Sequence, residues 1–195
     1  MELGWVLVIP AYVLGTFPTA ILVGQSKGRD VTREGSGNPG ATNTMRTMGR
    51  RAGVAVLAGD LGKGVLAALL GLATGQRGIG VACGLAAVLG HVAPVTRRFR
   101  GGKGVATAAG MAIVLVPLAA AGLALLWIVV ALLTRTASLA SVVIALGLPV
   151  GAGAVGRPAG EVLAFAACGL LVVARHRENL HRLVQGEERR IEPRR

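Results

Sequence analysis

Long apolar runs separated by short polar segments dominate the pattern of this chain. A helix of about 20 apolar residues can cross a bilayer, whose hydrocarbon core is about 30 Å thick. The runs extend from Leu3 to Val23, Ala52 to Thr74, Ile79 to Val95, Val105 to Leu133, Ala137 to Val155 and Pro158 to Ala174. The pattern predicts an all-α, polytopic membrane protein that forms one domain over residues 1–195.

The run from Val105 to Leu133 is too long for one ordinary span and short for two. Pro117 divides it, and proline cannot continue a helical hydrogen-bond ladder. We therefore predict two short or tilted helices that meet near Pro117, which gives about seven transmembrane helices. A single long, kinked helix is the alternative, and it would place Thr134 to Ser141 on the outer side.

Charged residues make up only 15% of the chain and lie mostly between the apolar runs. Lysine and arginine are concentrated in residues 27–51, 97–103 and 175–195, which the positive-inside bias places in the cytosol. The C-terminus is therefore expected in the cytosol and the N-terminus outside, where Glu2 replaces the basic start of a cleaved signal peptide. The net charge of +12 is expected to attract anionic lipid rather than nucleic acid, because aromatic residues (3%) are too few for base stacking.

Cys83 and Cys168 lie inside apolar runs and are expected to pack there as small side chains. The sequence has no CxxC pair and no His/Cys cluster with zinc-site spacing. It therefore predicts neither a metal cofactor nor a disulfide.

The first glycine-rich polar segment runs from Gly35 to Asn43 and contains a GxGxxG spacing. A dinucleotide site would need a preceding strand and a βαβ unit, which membrane helices do not provide. Backbone N–H groups, short polar side chains and an arginine one turn further on still suit phosphate. The candidate ligands here are Ser36, Gly37, Asn38, Gly40, Thr42, Asn43 and Arg46.

Asp60 and Lys63 lie three residues apart on the second predicted span, so they share a helix face. Charges inside a span are costly and are usually paired or functional. Either Lys63 helps to hold an anion that Asp60 orients, or the two residues form an internal ion pair. For His91, which precedes the next basic segment, a buried hydrogen-bonding role is the alternative to substrate binding.

The second polar segment reads Phe99-Arg100-Gly101-Gly102-Lys103-Gly104 and is similar to part of a P-loop. An ATP-binding P-loop is excluded, because Arg97 stands where its first glycine should be and no Ser or Thr follows Lys103. What remains is a Gly-Gly-Lys-Gly turn that opens a helix at Val105, which is a typical anion site. A plain basic loop is the alternative.

Two further polar clusters lie in the second half of the chain. Thr134-Arg135 precedes Ser138, a candidate helix cap, and Ser141, which is expected on the same helix face.

The third basic segment includes Arg175, His176, Asn179, His181 and Arg182 within two helical turns. His176 is a candidate general base, because histidine titrates near neutral pH. An interfacial basic tail is the alternative, and Gly186 with Glu187 indicates a helix stop.

In this order, the segments resemble the signatures of the PlsY family, the bacterial acyl-phosphate:glycerol-3-phosphate acyltransferases. The first signature matches Ser36 to Asn43 with Arg46, Asp60 and Lys63-Gly64; the second matches Gly90-His91, Pro94 and Phe99 to Thr107; a smaller one matches Thr134-Arg135, Ser138 and Ser141; the third matches Arg175-His176, Asn179, Arg182-Leu183 and Gly186-Glu187. The resemblance covers nearly the whole chain, and four signatures in order are far more specific than any one of them.

The resemblance implies transfer of an acyl chain from acyl phosphate to the 1-hydroxyl of glycerol 3-phosphate, giving lysophosphatidate and inorganic phosphate. It also implies that no acyl-CoA, acyl carrier protein, metal or nucleotide is used. The expected location is the bacterial inner membrane, with the active site facing the cytosol. The His-x4-Asp pair of soluble-type glycerolipid acyltransferases is absent, because Thr96, His181 and Gly186 stand five residues after the three histidines.

We hypothesise that the polar segments converge at the inner rim of the bilayer. There Lys103, Ser141 and the 99–104 turn would bind one phosphate, while Ser36, Asn38, Arg46, His176 and Asn179 would surround the other. The proton acceptor is either His176 or a substrate phosphate oxygen. The catalytic candidates are His176, Asn179, Ser141 and Lys103, and the remaining substrate-binding candidates are Gly37, Gly40, Thr42, Asn43, Asp60, Lys63, His91, Gly101, Gly102, Gly104, Arg135, Arg175 and Arg182.

A membrane transporter of a phosphorylated metabolite is the main alternative function. Transporters tend to place their sites at the bilayer midplane between repeated halves, whereas these motifs cluster at one face and no repeat is visible. A metal-dependent CDP-alcohol phosphotransferase would need several spaced aspartates, and this chain has only Asp30 and Asp60.

Overall fold

The computed structural model describes residues 3–191, and all of their regular structure is helical. The α-helices are α1 (Val8–Gly15), α2 (Thr19–Gln25), α3 (Ala41–Met48), α4 (Arg50–Leu72), α5 (Arg77–Val92), α6 (Val105–Leu115), α7 (Pro117–Thr134), α8 (Ala137–Ala154), α9 (Ala159–Arg175) and α10 (Arg177–Val184). Glu2, Arg194 and Arg195, which the predicted orientation uses, lie outside the described residues. The all-α prediction is confirmed.

The chain forms two compact units, Met1–Leu115 and Val116–Arg195. The boundary lies at the predicted break, because α6 ends at Leu115 and α7 begins at Pro117. The prediction that the run from Val105 to Leu133 forms two helices is therefore confirmed. The prediction that the whole chain is one domain stays a prediction.

The first apolar run is broken, although the sequence pattern predicted one continuous helix. A 3-10 helix at Leu3–Leu7 leads into α1, the chain leaves the helix at residues 16–18, and α2 begins at Thr19. Pro18 explains the break, since it has no N–H to continue the ladder. The break matters because it exposes backbone carbonyls that must find partners within the protein.

In the first unit, α4 packs against both α5 and α6. Small residues allow the close approach: a Cβ added at Gly64 would lie 2.8 Å from the Met111 nitrogen and closer still to the Thr107 carbonyl. The end of α6 is also held, because the Arg77 guanidinium on α5 donates to the Leu115 carbonyl. Alanine contributes much of the buried core between α1, α4 and α5, as at Ala11, Ala67 and Ala87.

In the second unit, α8 packs against both α7 and α9. The chain then bends by 58° between α9 and α10. His176 lies at this bend and Asn179 lies in α10, so the polar residues from Arg175 to Arg182 do not belong to one continuous helix.

Five helical stretches among residues 3–191 are long and apolar enough to cross a membrane: Leu3–Gln25, Arg50–Leu72, Arg77–Arg97, Pro117–Thr134 and Ala137–Ala154. The bent pair of α9 and α10 would make a sixth, while α6 is shorter. Large apolar side chains face outward, including Leu118 (76% exposed) and Leu133 (80% exposed). This is the surface of a membrane protein, because a soluble protein of this size would not expose so many.

Substituting Gly64 tests the packing of α4 on α6. Gly64→Ala should lower the free energy of unfolding by about 1–3 kcal/mol, because its methyl group collides with the α6 backbone. Gly62→Ala, two residues away on α4, is the matched control, since a Cβ there meets nothing within 4 Å. Thermal unfolding in detergent measures both, and equal behaviour of the two variants would contradict the packing.

Candidate active site

The loop before α3 is organised by Asn43, which is only 2% exposed. Its carboxamide oxygen accepts the Ser36 N–H at 2.8 Å, and its nitrogen donates to the carbonyls of Val31 (3.1 Å) and Glu34 (3.0 Å). This carboxamide is therefore committed to shaping the loop. Within the predicted phosphate segment, Asn43 acts as a scaffold for its neighbours.

Ser36 and Thr42 are exposed in this segment, and Asn38, whose N–H lies 3.4 Å from the Ser36 hydroxyl oxygen, is half-buried. Gly37 has a φ of +70° and Gly40 is extended immediately before α3. The first amides of a helix have no partner within the helix, and Arg46 lies one turn from Thr42 on the same face. Exposed hydroxyls, helix-terminal amides and a guanidinium together suit a phosphate.

The second loop is clamped onto the end of α5. The Gly102 N–H donates to the His91 carbonyl at 3.1 Å, and a Cβ at Gly102 would collide with the His91 ring. A Cβ at Gly101 would collide with the same carbonyl. Gly101 and Gly102 are buried, so these two glycines are needed for close packing as well as for any ligand.

The chain reaches α6 through an unusual backbone. Arg98 and Phe99 both have positive φ, +51° and +62°, and Gly104 has a φ of +85° directly before Val105. Two successive non-glycine residues in this region are strained, and such strain is concentrated at functional sites. Half-buried Lys103 is thereby held at the N-terminal end of α6, where an anion is favoured.

Asp60, Lys63 and His91 come together as one buried cluster, with 2%, 4% and 7% exposure. The Lys63 ammonium lies 2.8 Å from an Asp60 carboxylate oxygen and 3.3 Å from His91 Nδ1. It also donates to the Phe17 carbonyl at 2.9 Å. The geometry fits the internal ion pair, the second of the two roles that the sequence left open for Asp60 and Lys63.

In the second unit, Ser141 is held by two contacts. Its hydroxyl donates to the Ala137 carbonyl at 2.8 Å and accepts the Trp127 indole N–H at 3.1 Å. Ser141 is buried, as is Ser138 one turn earlier. Because Thr136 is the N-cap residue of α8, Ser138 is not the cap that the sequence suggested.

Glu188, which the sequence analysis missed, gathers the polar residues of α8 and α10. One carboxylate oxygen accepts the Ser138 hydroxyl at 3.0 Å and the Asn179 amide at 2.6 Å, and the other accepts the Arg182 guanidinium at 2.9 Å. The Gly186-Glu187 motif marked the helix stop correctly, since α10 ends at Val184 and Gly186 has positive φ. The carboxylate that accepts these hydrogen bonds belongs to the next residue, Glu188, and only the path of the chain after the turn reveals it.

His176 is 2% exposed and lies at the bend between α9 and α10. Its Nδ1 lies 2.8 Å from the Val172 carbonyl oxygen, so the proton is assigned to Nδ1 and the lone pair to Nε2. This is the tautomer that a general base acting through Nε2 requires. Arg175, the preceding residue, is half-buried. The side chain of Arg135 is exposed, and its backbone carbonyl accepts a hydrogen bond from the Ile191 N–H at 2.6 Å.

No group of three His, Cys, Asp or Glu side chains suited to a metal ion occurs between residues 3 and 191. The polar groups of each unit are mostly hydroxyls, amides and cations. Such groups recognise and stabilise negative charge, which is what phosphate-bearing reactants carry.

The carboxylate of Glu188 should make stability depend on pH. Burial raises the pKa of Glu188, but the hydrogen bonds from Asn179, Arg182 and Ser138 outweigh burial and hold this pKa below its ordinary value. The stability it contributes is therefore complete above the unfolded pKa of about 4.3 and is lost as pH falls through the lower folded pKa. Glu188→Gln should remove this acid-dependent part of the unfolding temperature.

Glu187→Gln is the matched control for that measurement, because Glu187 is exposed. It should keep the pH dependence of the unmodified protein. If Glu188→Gln also kept it, the carboxylate would not be the group that holds α8 and α10 together.

Comparison with known proteins agrees with these features. Residues 5–186 match the family model described as glycerol-3-phosphate acyltransferase. The glycerol-3-phosphate acyltransferase of Rubrobacter xylanophilus is 46% identical over 186 residues, covering 95% of this chain and 94% of the relative. That of Desulforudis audaxviator is 43% identical over 182 residues, covering 93% and 92%.

Two solved structures are also similar. Both are crystal structures of PlsY, described as an integral membrane glycerol 3-phosphate acyltransferase, and both are 37% identical to this chain. The glycerol 3-phosphate form has a TM-score of 0.93 and covers 97% of this chain and 96% of that one. The lysophosphatidic acid form has a TM-score of 0.90, with 96% and 94% covered. The chain therefore belongs to the PlsY family of glycerol-3-phosphate acyltransferases.

Proposed function

We propose that this acyltransferase uses acyl phosphate as its donor and acylates the 1-hydroxyl of glycerol 3-phosphate. The products are lysophosphatidate and inorganic phosphate. The acceptor and the product are supported by the similar PlsY structure, solved in a glycerol 3-phosphate form and a lysophosphatidic acid form. These two molecules are the acceptor and the acylated product of such a reaction. Acyl phosphate as the donor is supported by the resemblance of the polar segments to the PlsY signatures.

Few catalytic groups are needed, because acyl phosphate is already activated. The hydroxyl oxygen attacks the carbonyl carbon, the bond from that carbon to the phosphate oxygen breaks, and phosphate leaves with the electron pair. The hydroxyl proton passes to His176 or to a phosphate oxygen. Alignment of the two reactants supplies about 7–11 kcal/mol of the barrier, and no metal or nucleotide has a role.

The first unit carries two groups suited to anions. Ser36, Asn38 and Arg46 surround one phosphate beside the start of α3, supported by the first amides of that helix. Lys103 and the 99–104 turn bind another at the start of α6. Each group joins positive charge to backbone N–H donors, the combination that stabilises a developing oxyanion or a departing phosphate.

In the second unit, the Ser141 hydroxyl is fixed by the Ala137 carbonyl and the Trp127 indole, and His176 carries its proton on Nδ1. Asn179 and Arg182 are held in place by Glu188. These contacts give the polar side chains fixed positions before substrate arrives, so less ordering is required at the moment of reaction.

For the membrane arrangement we propose seven spans, an outer N-terminus, a cytosolic C-terminus and a cytosolic active site in the bacterial inner membrane. Helix α6, at 11 residues, is about 16 Å long, yet it runs from the His91 end of α5 to the Arg77 side chain at the other end. That path supports counting α6 as a crossing. The basic segments at 97–103 and after Arg175 support the orientation.

The donor can be tested with protein purified in detergent. Phosphate should be released from acyl phosphate only when glycerol 3-phosphate is present, with lysophosphatidate formed in equal amount. A chelator should have no effect, and acyl-CoA should not replace the donor. Turnover with acyl-CoA, or loss of activity on chelation, would contradict the proposal. If no acyl transfer were seen in detergent, but vesicles containing the protein took up glycerol 3-phosphate, the protein would be a transporter.

The role of His176 can be tested by His176→Ala. If Nε2 accepts the hydroxyl proton, kcat should fall by about 10²–10⁴-fold with little change in KM. His181→Ala is the matched control, because His181 is exposed on α10, and it should retain full activity. Retained turnover with a raised KM in His176→Ala would assign the proton to a phosphate oxygen instead.

A further inference from the structure

Contacts to Asp60, His91 and the Phe17 carbonyl account for all three protons of the buried Lys63 ammonium group. Lys63 contacts Asp60 at 2.8 Å, the Phe17 carbonyl at 2.9 Å and His91 Nδ1 at 3.3 Å, and the Gly15 carbonyl lies 3.5 Å away. An ammonium group has only three donors. A side chain 5% exposed and engaged in this way is poorly placed to hold a substrate phosphate.

The two carbonyls near Lys63 belong to the break in the first span. Gly15 ends α1 and Phe17 lies between α1 and α2, where Pro18 interrupts the ladder. A carbonyl that loses its helical partner within a membrane must be satisfied by the protein. Lys63 supplies that partner, so the cluster secures the shape of the broken span.

On its other side, the cluster reaches the second glycine-rich loop. The acceptor role at Nδ1 leaves the His91 proton on Nε2, the atom that a Cβ at Gly102 would strike. The His91 carbonyl also accepts the Gly102 N–H at 3.1 Å. A movement of His91 would therefore displace Gly102 directly.

A second connection joins the first span to this loop. The Tyr12 hydroxyl on α1 donates to the Ala93 carbonyl at 2.7 Å and accepts the Val95 N–H at 3.1 Å. The segment that leads from α5 into residues 99–104 is thus fastened to α1 as well as to Lys63. The loop is therefore anchored at two points.

We infer that Asp60, Lys63 and His91 are positioning residues that couple the break in the first span to the Gly101–Gly104 loop, without touching substrate themselves. The inference rests on the proposed function only in assigning a phosphate to that loop. The cluster sets the direction of the Gly102 amide and of the chain at Lys103. Its loss should loosen this loop selectively.

The decisive variant is Asp60→Asn with Lys63→Gln, which removes both charges together and so leaves neither one buried alone. Hydrogen–deuterium exchange followed by mass spectrometry measures how often the backbone amides of the loop open to solvent. Peptides covering residues 99–105 should exchange about tenfold faster than in the unmodified protein, while peptides covering 137–148 in α8 should not change. The KM for one phosphate substrate should rise, with kcat nearly retained.

Cys83→Ala is the matched control, since Cys83 is buried on α5 in a separate apolar cluster. It should leave exchange in residues 99–105 unchanged. His91→Asn is a second variant in case the double variant does not fold, because it keeps a polar group near the Nδ1 position and removes the ring beneath Gly102. The same loop-restricted increase is expected.

Unchanged exchange in residues 99–105 of a folded variant would overturn the inference. An equal increase throughout the protein would also overturn it, because the cluster would then serve stability alone. Exchange does not depend on acyl transfer. A protein that showed the loop-restricted change but did not use acyl phosphate would refute the proposed donor and leave the positioning role intact.

Discussion

Satisfying backbone carbonyls at helix breaks is the constraint on which the first unit depends. In a bilayer no water is available to a carbonyl that loses its helical partner, so the protein must supply a donor. Lys63 does so for Phe17, and Arg77 does so for Leu115. Both donors are cations on neighbouring helices, so the same contacts that permit the breaks also hold the helices together.

The cost of burying Lys63 is offset by Asp60, its partner one helical turn away. A lone buried ammonium would be strongly unfavourable, whereas a paired one with further acceptors is tolerated. Small residues allow the helices and loops to pack closely, as where Gly64 contacts α6 and Gly102 contacts His91. In the absence of a hydrophobic driving force between helices in lipid, such close contacts provide much of the stabilisation.

In the second unit, an acidic residue organises the polar side chains. Glu188 accepts from three side chains on α8 and α10, and it thereby fixes donors that would otherwise move independently. The proposed reaction, with an activated donor, requires little proton-transfer chemistry and much alignment. A rigid arrangement of hydroxyls, amides and cations meets that requirement in each unit.

The sequence by itself determined the helical class, the division at Pro117 and the polar segments, because each depends on local properties: apolar length, proline's missing donor, and glycine next to charge. Only the tertiary structure decided that the first run is broken, that Lys63 is occupied by backbone carbonyls, that Asn43 shapes its own loop and that Glu188, rather than Glu187, joins α8 to α10. These facts depend on contacts between residues as far apart as Lys63 and Phe17, or Glu188 and Ser138, and spacing along the chain does not encode which distant carbonyl or hydroxyl a side chain will meet.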